Sequence, residues 1–288
     1  MLYLSPSRSL SPVSTMMLVA PRGAVVPDTF NAVNVDARQH ERLLHQMQRL
    51  RGRAYLDDGA LTDADLTHDG RHVQAADDSA WHVMAVQPDG EVVSCMRYRQ
   101  YEQVQADALG VWRSALARSE AWSRRVRTAI EHEIAVARQR GVTFAEFGGW
   151  AVAEHARGSR GATTVLWTYA VAECLGSSIG VATATVRNCS AQILKRVGGR
   201  PLEDRGESLP AYFDPRYGCE MELLRFDTSA PAGKYRNHVA RLTEQVPSMP
   251  VICATPASCP APAVRHSAWP ALALPAMPGY SLGDAVPA

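Results

Sequence analysis

Residues 151–164 read AVAEHARGSRGATT, the pattern of a strand that ends in a glycine-bearing turn before a helix. A helix N-terminus leaves backbone N–H groups unpaired, and small residues in the turn let phosphate oxygens reach those donors. The turn residues are Arg157, Gly158, Ser159, Arg160, Gly161 and Ala162. The two arginines could add charge-assisted contacts, but Arg160 stands where a phosphate-binding turn favours glycine. The stretch by itself leaves two interpretations open, a phosphate-binding turn and an ordinary surface connection.

The sequence before this stretch predicts a helix, a hairpin and a second helix. Apolar residues recur at helical spacing from Asp36 to Ala54. Two apolar segments, 81–86 and 91–99, flank an Asp-Gly pair, which is a strong hairpin signal. Residues 105–140 have the pattern of a largely helical run that ends at a glycine.

The sequence around and after the turn predicts strands that alternate with helices. A strand over 142–154 contains two adjacent glycines, which favour a bulge or the close approach of a ligand. A helix over 162–175, a strand over 178–186, a helix that Asn188 caps and a last strand over 219–227 follow. This order predicts a mixed α/β sheet and excludes a doubly wound parallel one.

The two ends of the chain differ in composition from its middle. Residues 1–33 mix Ser, Pro, Ala and Met without a period, and residues 247–288 are rich in Pro and Ala. Repeated proline removes backbone donors, so we expect a mobile N-terminal segment and a mobile tail around one domain over 34–246. A docked, extended tail is the alternative interpretation.

Composition excludes several functional classes. The net charge of +1 provides no field for nucleic acid, and the sequence has no run long and apolar enough to span a membrane. The six cysteines form no CxxC pair, and neither they nor the nine histidines show metal-ligand spacing. We therefore expect no metal and no disulfide framework. The start of the chain lacks a secretory pattern, which together with the free cysteines predicts a cytoplasmic protein.

Two motifs at matching separation resemble the GNAT acyltransferase superfamily. Val152, followed five residues later by Arg157 and then by Ala162, resembles the strand end and acyl-donor loop of that family, with Arg160 in place of its first glycine. The helix NCSAQILKRVGG, residues 188–199, resembles the family's Asn-x-x-Ala helix. The resemblance covers about residues 38–227. It implies a mixed, mostly antiparallel central sheet, flanked by helices and containing a splayed pair of parallel strands.

Three further segments resemble the branch that contains the autoinducer synthases and the N-acyl amino acid synthases. They are RGRAY (51–55), SCMRY (94–98) and EFGGWAV (146–152). The last of these has Gly148-Gly149 where autoinducer synthases have Ser-Arg, which argues against synthesis of a homoserine lactone. The branch implies an acyl donor that is either acyl-CoA or the acyl-phosphopantetheine of an acyl carrier protein.

The resemblance assigns roles to residues along the strand at 146–152. Glu146 would be the general base that takes a proton from the attacking amine. A backbone N–H of Ala151 or Val152 would stabilise the oxyanion, and the turn residues 157–162 with Asn188 would bind the donor. Many acetyltransferases protonate the leaving thiolate with a tyrosine, and Lys195 stands at that position here.

Arg51, Arg97 and Trp150 are the candidate residues for binding the acceptor or the acyl chain. Arginine suits bidentate contact with a carboxylate, and an aromatic side chain could line an acyl tunnel. Each residue also has an ordinary structural interpretation. A glutamate at a strand edge or a lone arginine is commonly solvated, and aromatic residues on strands commonly belong to the core.

The sequence thus predicts an enzyme, an N-acyltransferase that joins an acyl thioester to a small amine, with an amino-acid-like acceptor as one option. An acetyl-CoA-dependent N-acetyltransferase is the alternative within this class. A non-catalytic binding or sensor module is the alternative outside it, because Gly149, Arg160 and Lys195 all depart from the family pattern.

Overall fold

The computed structural model describes residues 14–157 and 162–256, apart from the side chain of Asn188. The strands are β1 (Thr15–Val19), β2 (Val33–Val35), β3 (Trp81–Val86), β4 (Val92–Tyr101), β5 (Thr143–Val152), β6 (Ser178–Thr185), β7 (Arg200–Pro201), β8 (Glu203–Asp204), β9 (Glu207–Ser208), β10 (Tyr212–Asp214), β11 (Cys219–Asp227) and β12 (Val251–Cys253). The helices are α1 (Ala37–Asp57), α2 (Ala115–Arg118), α3 (Ser123–Arg140), α4 (Thr163–Cys174), α5 (Ser190–Val197) and α6 (Arg236–Gln245).

A single large sheet organises the described residues. Its strand order is β10-β11-β6-β5-β4-β3-β1-β12-β2, and β7 pairs with β11 outside this path. Neighbouring strands are antiparallel except at three places, where β5 pairs with β6, β1 with β12 and β12 with β2. The prediction of a mixed, mostly antiparallel sheet with a parallel pair is confirmed.

Alternation along the central strands separates two faces of the sheet. On one face, Val83 of β3 and Met96 of β4 lie in a core with α4 and α6. On the other face, Met84 and Cys95 pack with the apolar side of α1. Successive side chains of a strand point to opposite faces, so one short run of apolar residues serves both cores. A third core packs α3 against the start of β5 and β6.

Helix α1 begins and ends as its sequence predicts. Asp36 is extended, and its carboxylate accepts a hydrogen bond of 2.9 Å from the backbone N–H of Gln39. Such an N-cap satisfies one of the donors that a helix start leaves unpaired. The buried residues Leu43, Met47 and Leu50 lie on one side of the helix, in agreement with the period in the sequence.

The stretch over 105–140 is largely helical, as predicted, but it is not one continuous helix. Short 3-10 turns and the four-residue α2 occupy its first part, and α3 begins only at Ser123. Ser114 accepts from the N–H of Ala117 at 3.2 Å, and Ser119 ends α2 in an extended conformation. Serine competes for backbone hydrogen bonds in this way and breaks a helix that apolar spacing alone would continue. The predicted end at Gly141 is correct, with φ of 67°.

The packed unit extends beyond the predicted bounds of 34–246 on both sides. Strand β1 lies between β3 and β12, and Leu18 and Val251 are fully buried where these strands meet. The N–H of Leu18 donates to the carbonyl of Pro250 at 2.9 Å. The apolar runs TMMLV and VIC are too short to show a period, and both stand in proline-rich surroundings. For these two reasons the sequence pattern did not indicate them as strands.

No helix among the described residues combines the length and the apolar character needed to cross a bilayer.

Candidate active site

Strands β5 and β6 pair over only part of their length. The parallel register runs from Thr143 opposite Ser178 to Glu146 opposite Val181, and then it stops. Strand β5 continues to Val152 on β4, while β6 continues on β11. Beyond Glu146 the two strands therefore present backbone edges to each other without pairing. This is the splayed parallel pair that the family resemblance implies.

A cavity of about 690 Å³ opens where the strands separate. Both strand edges line it, with Phe147, Gly148, Gly149 and Trp150 on β5 and Ala182, Thr183, Ala184 and Thr185 on β6. Five arginines and three carboxylates contribute to the lining: Arg97, Arg99, Arg113, Arg187, Arg216, Asp58, Glu146 and Asp214. Cations outnumber anions, so the cavity favours a ligand that carries negative charge.

Glu146 lies at the point where the strands diverge. Only 9 % of its surface is exposed, and both carboxylate oxygens accept hydrogen bonds. The backbone N–H of Val111 donates to Oε1 at 2.8 Å, and the Tyr101 hydroxyl donates to Oε2 at 2.9 Å. Each oxygen retains a second lone pair for another donor. The carboxylate is thus fixed in orientation and able to accept a proton at the cavity.

The Val111 contact depends on Gly110, which brings the 3-10 turn close to the strand. A Cβ at Gly110 would lie 2.9 Å from Oε1 of Glu146. Glycine at this position therefore lets the backbone approach the carboxylate.

Gly149 produces a bulge in β5 opposite β4. The register passes from Arg97 opposite Gly148 to Cys95 opposite Ala151, so two residues of β5 face one of β4. Gly149 has φ of +60°, a conformation that residues with a side chain rarely adopt. The role of Gly149 in the strand is therefore conformational.

Downstream of the bulge, the backbone N–H groups of Ala151 and Val152 point to opposite edges of the strand. The N–H of Ala153 donates to the carbonyl of Val93 on β4 at 2.8 Å. Because N–H groups alternate in direction along a strand, Ala151 also donates towards β4, and the N–H of Val152 points to the gap. Of the two predicted oxyanion donors, the geometry favours Val152 and does not support Ala151.

Arg51 lies in a buried ion pair and not in the cavity. Its guanidinium donates to Asp77 at 2.9 and 2.6 Å and to the carbonyl of His72, and the side chain has no exposed surface. An acceptor cannot reach it, which corrects the assignment of Arg51 to substrate binding. Burial disfavours the charged carboxylate, but the hydrogen bonds and charge of Arg51 outweigh it and hold the pKa of Asp77 well below its ordinary value.

Arg97 is shared between this buried network and the cavity. It contacts Asp77 at 3.3 Å and donates to Gln74, and the same side chain lines the cavity beside Gly148. Asp77 therefore contacts both Arg51 and Arg97, the two arginines that were predicted to bind the acceptor. The sequence analysis missed it, because the aspartate lies in a polar stretch without a pattern.

Trp150 lines the cavity, and its carbonyl accepts from the Tyr55 hydroxyl at 3.4 Å. Burial raises the pKa of Tyr55, so the phenol remains protonated and a hydrogen-bond donor.

Lys195 is held by Glu222, with Nζ 2.9 and 2.8 Å from the two carboxylate oxygens. Leu194, its neighbour on α5, lines the cavity instead.

The structure describes only the two ends of the predicted donor-binding turn. Gly158, Ser159, Arg160 and Gly161 lie outside the described residues, as does the side chain of Asn188. Ala162 precedes the first residue of α4, and Arg157 lies 4.0 Å from Asp58 and is half exposed. A second cavity, of about 740 Å³, adjoins the start of α4 and is lined by Val152, His155 and Trp167.

The sequence analysis also missed Arg99, which lines the cavity, and Tyr101, which donates to Glu146. They follow Arg97 at every second position of β4, and alternation of this kind places all three side chains on the same face. This alternation of polar side chains along β4 was visible in the sequence.

In the described residues, no group of three or more His, Cys, Asp and Glu side chains could hold a metal ion.

No protein-family model and no curated protein match the chain. Among solved structures, it is similar to BjaI, a CoA-dependent acyl-homoserine lactone synthase determined with SAM and isopentyl-CoA, at 15 % identity and a TM-score of 0.48. The alignment covers 84 % of this chain and 94 % of BjaI.

Two further similarities are weaker. FeeM, an N-acyl amino acid synthase from uncultured soil microbes, is 12 % identical, with a TM-score of 0.42 over 82 % of this chain and 98 % of FeeM. A putative N-acetyltransferase from Lactobacillus plantarum is 10 % identical, with a TM-score of 0.39 over 75 % of this chain and 99 % of that one.

Proposed function

We propose that this protein is an N-acyltransferase that moves an acyl group from a phosphopantetheine thioester to an amine. The observation that carries the proposal is the divergence of β5 and β6 at Glu146, which opens two unpaired strand edges onto one cavity. An extended pantetheine arm carries amide groups that can hydrogen-bond to such edges as an added strand would.

The reaction needs a base, an oxyanion donor and a leaving group. The amine nitrogen attacks the thioester carbonyl carbon, its proton passes through water to Glu146, and the carbonyl oxygen becomes an oxyanion facing the N–H of Val152. The C–N bond is formed in this attack; the carbonyl then re-forms as the C–S bond breaks, and the thiolate leaves with the electron pair. A thiolate is a good leaving group near neutral pH, so the reaction proceeds without an acid at Lys195.

The donor's phosphates provide a reason for the positive charge at the site. Coenzyme A and an acyl carrier protein both present a phosphopantetheine, and Arg157 with the turn that follows it is the segment that would meet the phosphate end. The acceptor is a small molecule whose amine enters the cavity beside Glu146.

Thiol release is the direct test. Purified protein is mixed with acetyl-CoA, a long-chain acyl-CoA or an acyl carrier protein loaded with the same chain, and each donor is paired with a panel of amines. We expect free thiol and a new amide with at least one donor. The comparison among donors separates coenzyme A from carrier protein and acetyl from long-chain transfer.

Glu146→Gln keeps the size of the side chain and its contact with Val111. It should lower kcat by about 10²- to 10⁴-fold, the contribution of a positioned general base, and leave donor binding unchanged. Glu91→Gln, on the exposed hairpin, is the matched control. Tight donor binding without thiol release in the unmodified protein would overturn the proposal in favour of a binding module.

A further inference from the structure

Arg99 is the cavity arginine that directly faces the proposed base. In the antiparallel register of β4 and β5, Arg99 is opposite Glu146, and both side chains line the cavity. Directly opposed residues of an antiparallel pair have Cβ atoms about 5 Å apart. A ligand in contact with Arg99 therefore has its neighbouring atoms within reach of Glu146.

The guanidinium of Arg99 is fixed in position by an aromatic ring, and its positive charge is not neutralised by a carboxylate. It lies over the Tyr101 ring, 4.8 Å from the centroid, and the hydroxyl of that same ring donates to Glu146. Over residues 14–157 and 162–256, no carboxylate lies within ion-pair distance of Arg99. Stacking on a ring fixes the plane of a guanidinium and leaves its edge donors available.

The other arginines of the cavity are differently placed. Arg97 is bound by Asp77 and Gln74, and Arg216 is bound by Asp214 at 2.9 Å. Arg187 donates to the carbonyl of Tyr217 at 3.1 Å. Arg113 lies in the exposed turn that follows Val111. Arg99 combines a fixed plane, unneutralised charge and direct opposition to Glu146.

We infer that Arg99 binds a carboxylate of the acceptor, so that the acceptor is an amino acid with a free carboxyl group. This inference rests on the proposed function. The rigid fork of arginine matches the two oxygens of a carboxylate. In an α-amino acid the amine is attached to the carbon next to the carboxylate, which brings the nitrogen to Glu146 when the carboxylate contacts Arg99. The register thus selects amino acids over simple amines.

The test compares acceptors that differ only at the carboxylate. Apparent kcat/KM is measured for L-leucine and L-phenylalanine and for their methyl esters, with the donor that the unmodified protein uses. We expect a preference for the free acids. Arg99→Gln should reduce the acid-to-ester ratio by about 10- to 100-fold, the worth of a hydrogen-bonded charge pair, and Arg99→Lys should retain part of the preference.

Arg127→Gln is a matched control, because Arg127 also stacks on an aromatic ring, 4.5 Å from the centroid of Trp112. It removes the same charge from helix α3, away from the cavity lining, and should leave the ratio unchanged. Circular dichroism verifies that each variant is folded. An unchanged ratio in Arg99→Gln, or a preference of the unmodified protein for the esters, would overturn the inference.

A failure of the proposed function is recognised separately. If no donor and amine pair releases thiol, the transferase proposal fails, and Arg99 is then judged by calorimetric binding of the same amino acids and esters. Tighter binding of the acids that is lost at least tenfold in Arg99→Gln would retain the carboxylate site. Equal binding by both proteins would refute it.

Discussion

The hydroxyl of Tyr101 lies 2.9 Å from Oε2 of Glu146 and joins the end of β4 to the point where β5 and β6 separate. Burial, and then the negative charge of Glu146, raise the pKa of this phenol, so it is protonated and a hydrogen-bond donor at neutral pH. Tyr101 and the N–H of Val111 together hold the carboxylate from two sides. Tyr101 is therefore a positioning residue for the proposed base.

Tyr101→Phe should lower kcat by about tenfold, because one hydrogen bond to a charged group contributes about 1.5 kcal/mol or more. The KM for the donor should not change, since the ring and its packing are retained. Steady-state thiol release measures both parameters. A merely structural role would instead alter the melting temperature and KM without a selective loss of kcat.

Gly149→Ala should destabilise the protein by more than the cost of the backbone conformation alone. A residue with a side chain at φ of +60° costs about 1–2 kcal/mol, and the new Cβ would also lie 3.2 Å from Nη1 of the buried Arg51. Gly90→Ala is the control, because Gly90 has φ of +87° and no heavy atom near its added Cβ. Urea unfolding of both variants gives the comparison, and equal losses would contradict the prediction.

Asp77→Asn should lower the free energy of unfolding by about 3–5 kcal/mol at neutral pH, because it leaves the charge of a buried arginine unbalanced. The pKa of Asp77 is lowered in the folded protein, so this stabilisation is present above the ordinary carboxyl pKa and is lost as pH falls below it.

The adjacent Asp78 provides the control for Asp77→Asn. It pairs with Arg22 on the surface, where the two side chains are 66 % and 51 % exposed. Asp78→Asn should cost less than about 1 kcal/mol, as exposed ion pairs do. Denaturant titrations at pH 7 measure both variants, and similar costs would show that burial of the Arg51 pair contributes nothing.

His82 should make the protein less stable in mild acid. The imidazole is buried, with Nε2 2.8 Å from the carbonyl of Asp77, and burial lowers its pKa to about 4 from 6.5. Between these two values the unfolded chain binds the proton more readily than the folded protein, so the free energy of unfolding falls as pH falls from 6.5 towards 4. By pH 5 the loss from this residue reaches about 2 kcal/mol.

Denaturant titrations at pH 8, 6 and 5 measure the slope. His82→Gln keeps a donor for the carbonyl of Asp77 and should reduce the slope without abolishing it, because burial also lowers the pKa of His72 to about 4. His45→Gln changes a partly exposed imidazole on α1 and should leave the slope as it is. A slope that is unchanged in His82→Gln would assign the acid sensitivity to other groups.

Local signals in the sequence determined the elements that adjoin the site. Apolar spacing and Asp36 located α1, the Asp-Gly pair located the β3–β4 hairpin, and Gly141 located the end of α3. The strand that contains Glu146 and helix α4 were readable for the same reason. In each case a period or a cap depends on residues close together in the chain.

Other elements depend on contacts or hydrogen bonds that apolar spacing does not reveal. Strands β1 and β12 are held by hydrogen bonds between residues more than 200 positions apart, and no local pattern marks them. The largely helical stretch over 105–140 is interrupted because two serines bind their own backbone, which outweighs apolar spacing.

The sequence by itself determined the order of the main elements from α1 to β11 and the glycine bulge of β5, because each depends on neighbouring residues, and the family resemblance made Glu146 a candidate. Tertiary structure decided which side chains meet in the cavity. It buried Arg51 against Asp77, placed Arg99 opposite Glu146 and brought Tyr101 to the carboxylate. The physical reason is that the register and separation of the strands bring together residues 20 to 50 positions apart in the sequence. Whether a charged side chain is neutralised then depends on the groups that lie beside it in the folded protein.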